Sequence, residues 1–174
     1  MEISDWRSFK PADAAGAFDA VDASQVERWY RSNIGVEPRA GAAAKFTLIH
    51  LYNPACRCNR FTEPHLKRLI ERYQARGVRF LAAPARAYAA TAETPFELPA
   101  IRSEDGALAR AGVNSSPAAL IFDADGRLLY YGPYSDSAWC GSAGALVEPV
   151  LDRAFSGLAP VMGLRASRGC FCEW

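Results

Sequence analysis

The sequence predicts an α/β domain on a central mixed sheet, and two local patterns carry the prediction. Residues 46–52 are rich in β-formers. They are followed by Leu66, Leu69, Ile70 and Tyr73 at i, i+3, i+4 and i+7, and then by a short apolar run over 78–82. Strand, long helix and strand make a βαβ unit, whose two strands run parallel. Further on, apolar runs over 118–122 and 127–131 flank Asp123-Ala124-Asp125-Gly126, a strong hairpin signal that calls for antiparallel pairing. With 174 residues, half of them hydrophobic, the chain has the length of one domain and enough apolar surface for one core.

Taken in order, residues 1–21 are rich in Ala and Asp, without a firm period, and read as an arm or linker. A helix opens at Asp22 or Ser24, where Ser24 with Glu27 fits a capping box. Val26, Trp29 and Tyr30 form its apolar face, and Gly35 stops it. Residues 37–44, with Pro38 and Gly41, read as a loop. The first strand leads through Asn53-Pro54 into a helix over about 59–76 that ends at Gly77, with Pro64 kinking or tightening its first turns. Arg68, Arg72 and Arg76 form a basic stripe that reads as a solvated face. Residues 84–99 are irregular, with a short helix near 86–92. Residues 99–102 form a short edge strand. A helix starts at Ser103, buries Leu108 and ends at Gly112. After the hairpin, a last helix lies within 142–155, and Pro149 either kinks it or starts a shorter one. The domain organisation expected is an N-terminal arm and helix over 1–44, a core domain over 45–156 and a Cys-containing tail over 157–174 that docks on it.

A net charge of +1 argues against a nucleic-acid partner held by bulk charge. No apolar run approaches the roughly 18 residues of a membrane span, and the first residues do not read as a secretory signal.

The chemistry sits on cysteine. Five are present: Cys56 and Cys58 in one C-x-C pair, Cys170 and Cys172 in another, and Cys140 alone. Five are too few for a disulfide scaffold of this length, so redox catalysis or metal binding explains the pairing better. Cys56 and Cys58 stand between a strand and a helix start. There the unpaired backbone N–H groups and the helix dipole stabilise thiolate, which makes Cys56 the candidate nucleophile. Cys58 can resolve a mixed disulfide at Cys56 only if the turn is non-helical, because i and i+2 diverge on a helix. Asn59 as N-cap would allow that turn. The tail pair, Cys170 and Cys172, has three open readings: a second redox pair, a metal site shared with Cys56 and Cys58, or a structural staple. Phe171 and Trp174 suit a docked tail. Cys140 reads as a packing residue, and His50 as a satisfied core histidine. His65 lies over two helical turns from Cys56, too far for a Cys–His pair.

The segment LYNPACRCNRFTEPHLKRL resembles the active-site stretch of bacterial extracytoplasmic thioredoxin-like proteins, with an aromatic strand end, Pro, Cys and a later helix Pro in matching places. AIRSEDGALARAGVNSSPAALIFDADGRLLYYG resembles the second half of the same family. The resemblance covers about residues 45–155 and implies a thioredoxin-like three-layer α/β/α fold. It implies that Pro117 is a cis-proline facing Cys56, and that the Ser116 backbone, with Asn59 nearby, lines a groove for an extended substrate peptide. One departure matters: the family's second active-site Cys falls on Asn59, so C-x-C stands in place of C-x-x-C. Asn53 also stands where peroxidase-type relatives carry Thr. The function implied is a thiol–disulfide oxidoreductase acting on protein or small thiols through Cys56 and Cys58, without a cofactor, with the bacterial periplasm favoured. The rivals are a Zn or Cu site made of the two C-x-C pairs, and a non-catalytic interaction module.

Overall fold

The computed structural model describes residues 6–9, 21–35, 44–90, 93–101, 106–135, 145–159 and 167–174. In chain order the elements are β1 (Trp6–Phe9), α1 (Ala23–Asn33), β2 (Phe46–Tyr52), α2 (Asn59–Tyr73), β3 (Val78–Pro84), α3 (Ala107–Arg110), β4 (Ser115–Ser116), β5 (Ala118–Asp123), β6 (Leu128–Gly132), α4 (Val147–Phe155), β7 (Ser167–Cys170) and β8 (Cys172–Glu173). The main sheet has the order β3-β2-β5-β6. β2 runs parallel to β3 and antiparallel to β5, and β5 is antiparallel to β6. Both sequence patterns therefore meet in one mixed sheet.

β2 lies at the centre, and six of its seven residues are buried. Alternation sends its side chains to two cores. Ile49 and Leu51 pack with Val26, Trp29 and Tyr30 of α1, Leu108 of α3, and Leu120 and Phe122 of β5. Leu48 and Tyr52 pack on the other face with Leu66, Leu69 and Tyr73 of α2 and Val150 and Leu151 of α4. The fold is thus a thioredoxin-like three-layer α/β/α sandwich, and the β2–α2 turn emerges at one end of its central strand.

Helix ends show where local sequence governs and where it yields. Asp22 caps α1, its carboxylate accepting from the Gln25 backbone N–H at 3.0 Å, the Gln25 amide at 2.6 Å and the Ser24 hydroxyl at 2.6 Å. The Ser24 and Gln25 donors hold the Asp22 carboxyl down at about 2. The Ser24–Glu27 capping box is not formed. Glu27 instead accepts from the Leu128 backbone N–H at 3.0 Å, tying α1 to β6. α2 runs on through a 3-10 turn, Gln74–Arg76, and stops at Gly77, whose φ of 101° is left-handed. Pro64 sits inside α2, and Pro149 occupies the first turn of α4, where a missing N–H leaves no bond unmade.

Four other expectations are corrected. The arm over 1–21 contains β1, which pairs antiparallel with β7 in the tail. Of the edge strand expected over 99–102, the described residues 99–101 form one parallel bridge, Ala82 to Ala100. Where a short helix is expected near 86–92, the described residues form a 3-10 turn, Arg86–Tyr88. The basic stripe is not merely solvated: Arg72 and Arg76 reach Asp152 of α4 at 3.0 and 3.2 Å, and Tyr73 donates to the same carboxylate at 2.9 Å. The Ser103 helix start, and Cys140 with its packing role, lie outside the described residues. No described helix is long and apolar enough to cross a membrane.

Candidate functional site

The β2–α2 turn is built by Asn53. Its side-chain oxygen accepts from the Ala55 N–H at 2.9 Å, and its backbone carbonyl accepts from the Cys56 N–H at 2.8 Å and the Asn59 side-chain amide at 2.9 Å. Three donors thus converge on one residue and fold the chain tightly between strand and helix. The helix starts at Asn59, as the sequence predicts, but Asn59 is not its cap: its amide donates back to the Asn53 carbonyl, and Cys58 takes the cap position without a side-chain bond. The Asn59 side-chain oxygen is buried without a partner among the described residues.

The turn leaves Cys56 5 % exposed and Cys58 wholly buried. Neither bonds the other. Cys56 is disulfide-bonded to Cys172 and Cys58 to Cys170, across 116 and 112 residues of sequence, with Cα–Cα distances of 5.9 and 5.4 Å. The sulfurs of Cys56, Cys58 and Cys172 all lie within 4.8 Å of one another. The two C-x-C segments therefore face each other like rungs, joined twice.

β8 brings the tail pair there. It pairs antiparallel with β4, Cys172 opposite Ser116 and Glu173 opposite Ser115. The Ser116–Pro117 peptide bond is cis. The Trp174 N–H continues the ladder to the Asn114 carbonyl at 3.2 Å. From the other side, the Asn53 side-chain amide donates to the Glu173 carbonyl at 2.9 Å. Phe171 is 4 % exposed within the α1-side core, and the Trp174 indole N–H donates to the Ala83 carbonyl at 3.1 Å. Ser116, fully buried, has a hydroxyl without a partner among the described residues.

A second polar group lies in the core between the sheet and helices α2 and α4. His50 is buried, with Nδ1 2.8 Å from the Tyr134 hydroxyl and Nε2 without a partner among the described residues. Burial pushes its pKa down to about 3, so it is neutral. His65 Nε2 lies 2.7 Å from a Glu148 oxygen. Burial alone would push the Glu148 carboxyl up, but the hydrogen bond and charge of His65 outweigh it and hold it down. His50 is thus a core histidine satisfied on one nitrogen, and His65 serves the contact between α2 and α4.

Sequence reasoning passed over Asn53 as an organiser, though Asn-Pro after a strand is a turn signal. Tyr134 and Glu148 carried no local signal, since their partners stand 84 and 83 residues away in sequence.

The family pattern described as a domain of unknown function (DUF6436) matches residues 27–174, most of the chain and both Cys pairs. The chain belongs to that family. No curated protein matches it. Among solved structures, this DUF6436 chain is similar to an uncharacterized conserved protein from Geobacillus kaustophilus, at 20% identity and a TM-score of 0.60, over 75% of this chain and 77% of that one. It is similar as well to a hypothetical protein from Sinorhizobium meliloti, at 18% identity and a TM-score of 0.58, over 75% and 79%. At such identities the likeness is one of fold.

Proposed function

We propose that the chain is a thiol–disulfide oxidoreductase of the thioredoxin-like superfamily, in which Cys56 exchanges bonds with a protein or small-molecule thiol and Cys172 is its internal partner. The observation that carries this reading is the joining of Cys56, at the β2–α2 turn, to Cys172, with the Cys58 sulfur within 4.8 Å of both. In the oxidised form a substrate thiolate attacks the Cys56 sulfur. The bond to Cys172 breaks, and Cys172 leaves as thiolate. A second substrate thiol, deprotonated, attacks the substrate sulfur of this mixed disulfide and releases the Cys56 thiolate with a substrate disulfide. Two electrons have then passed from the substrate dithiol to the Cys56–Cys172 pair. In reverse, the Cys56 thiolate opens a substrate disulfide and Cys172 closes on Cys56. The Cys56 thiolate can also attack Cys58 and displace Cys170 as thiolate; the Cys172 thiolate then attacks Cys56 and releases the Cys58 thiolate, so the bond passes from the second pair to the first without loss of atoms or electrons. The role given to Cys58 is thus a store behind Cys56, and residues 157–174 act as a redox tail docked on the domain over 45–156. Disulfides persist in oxidising compartments, which supports the extracytoplasmic location that the resemblance implies.

The test is oxidation of a dithiol peptide by the fully oxidised protein, followed by thiol counting. Cys56→Ser and Cys172→Ser are each expected to abolish the fast phase, while Cys58→Ser/Cys170→Ser keeps the first turnover. An unchanged rate in Cys56→Ser overturns the reading.

The sulfur cluster favours a second reading, a Zn²⁺ or Cu⁺ site in the reduced protein. Thiolates around tetrahedral zinc, with Zn–S near about 2.3 Å, stand roughly 3.8 Å apart, and three of the sulfurs already lie within 4.8 Å. One equivalent of zinc held by the reduced protein, weakened in Cys172→Ser, with no dithiol oxidation, would make this the function.

A further inference from the structure

We infer that β8 occupies, in cis, the groove in which a polypeptide substrate binds, and that the tail displays the substrate class: an extended strand whose cysteine follows one aromatic residue and precedes another by two positions. The inference rests on the exchange reading above for its consequence, because the groove leads to Cys56. The occupancy itself stands on separate contacts.

Three of these contacts use only main-chain groups of the tail. β8 pairs with Ser115 and Ser116, the Trp174 N–H reaches the Asn114 carbonyl, and the Asn53 amide reaches the Glu173 carbonyl. Any extended peptide offers the same groups, so the edge of β4 and the Asn53 side chain form a sequence-tolerant clamp. The disulfide to Cys56 at the residue opposite Ser116 is the bond that a substrate cysteine would make in a mixed disulfide. Selectivity comes from the side chains. Phe171, before the cysteine, enters the α1-side core, and Trp174, two after it, packs against that core and donates to Ala83. Glu173 between them is exposed, and so leaves its position free.

One consequence separates this from a purely structural strand. A tethered segment competes at an effective concentration far above that of a free peptide. Loosening the tail should therefore raise the reactivity of Cys56 toward peptide, whereas loosening a structural strand should only harm the fold.

The experiment uses full-length Cys172→Ser in a Cys140→Ser background, with thiol mapping to show that the Cys58–Cys170 bond is intact, so that Cys56 is the free thiol while that bond holds the tail. The probe is a Gly-Phe-Cys-Glu-Trp peptide activated at cysteine with thionitrobenzoate, and the readout is release of the coloured thiol. Adding Trp174→Ala is expected to speed release about tenfold. In that variant the peptide should outpace its Gly-Ala-Cys-Glu-Ala counterpart by a similar factor. No acceleration, or equal rates for the two peptides, overturns the inference. The serine analogue, Gly-Phe-Ser-Glu-Trp, reads the groove without thiol chemistry: it should raise the melting temperature of Cys172→Ser/Trp174→Ala and slow release by the activated peptide. If it does so while the oxidised protein oxidises no dithiol, the groove stands and the oxidoreductase reading falls. If it does neither in a variant that still melts cooperatively, the groove falls and the oxidoreductase reading is untouched.

Discussion

The two disulfides should be strongly non-additive, and their spacing says by how much. In the chain-entropy account a cross-link stabilises by restricting the unfolded chain, in proportion to the logarithm of the loop it closes. Cys56–Cys172 closes a loop of 116 residues and Cys58–Cys170 one of 112 nested inside it. Alone, either is worth about 4.8 kcal/mol by that rule. Once one is closed, the other closes only a ring of about six residues, three from each C-x-C segment, worth about 2.2 kcal/mol. Replacing either pair by serine should thus cost about 2 kcal/mol, and replacing both about 7 kcal/mol. The single variants keep most of the long-range restraint, while the double variant loses an amount comparable to the whole stability of many domains. The assay is guanidinium unfolding at one pH for wild type, Cys56→Ser/Cys172→Ser, Cys58→Ser/Cys170→Ser and the fourfold variant, with the unfolding slope checked for constancy. Additive losses, with the fourfold variant no worse than the sum of the two, would refute the nested cross-link. If each C-x-C bonded only within itself, either paired replacement would break both bonds, and the fourfold variant would be no worse than either of them.

Two more predictions concern the core. His50 is held neutral down to about 3, whereas an unfolded histidine titrates near 6.5, so between these values the unfolded chain binds more protons and stability falls as pH falls. The loss should approach about 1.4 kcal/mol per pH unit below 6.5; His50→Phe, which keeps a ring against Tyr52, should flatten the slope between pH 6.5 and 4, and an unchanged slope in chemical unfolding would place the acid sensitivity elsewhere. Asp152→Ala removes two half-exposed ion pairs and the acceptor for the Tyr73 hydroxyl, for an expected loss of about 1–2 kcal/mol that shrinks in high salt; a loss below a few tenths in thermal unfolding at low salt would show that these contacts do not hold α2 to α4.

Much of the frame was legible because it rests on local periodicity. β2 is marked by a seven-residue run of β-formers, α2 by its apolar stripe and Gly77, and the hairpin by Asp123 to Gly126. These signals need no knowledge of distant residues, since alternation and 3.6-residue spacing follow from backbone geometry. Parallel pairing of β2 with β3 follows as well, because a helix must cross between them. Where a distant partner competes, local rules yielded: Glu27 left the capping box for the Leu128 N–H, and Asn59 gave up the cap to bond Asn53.

What the sequence by itself determined is the α/β/α frame and the placing of a C-x-C pair at a strand-to-helix turn. What only the tertiary structure decided is the pairing. β1, β7 and β8 are two to four residues long, too short to show a period, and they exist as strands only because partners far along the chain supply the other half of each ladder. Equally, nothing local tells Cys56 whether to meet Cys58, Cys170 or Cys172. A disulfide requires two Cα atoms within about 7 Å and Cβ vectors that converge, and that condition is set by how β8, more than a hundred residues from the turn, lies along β4.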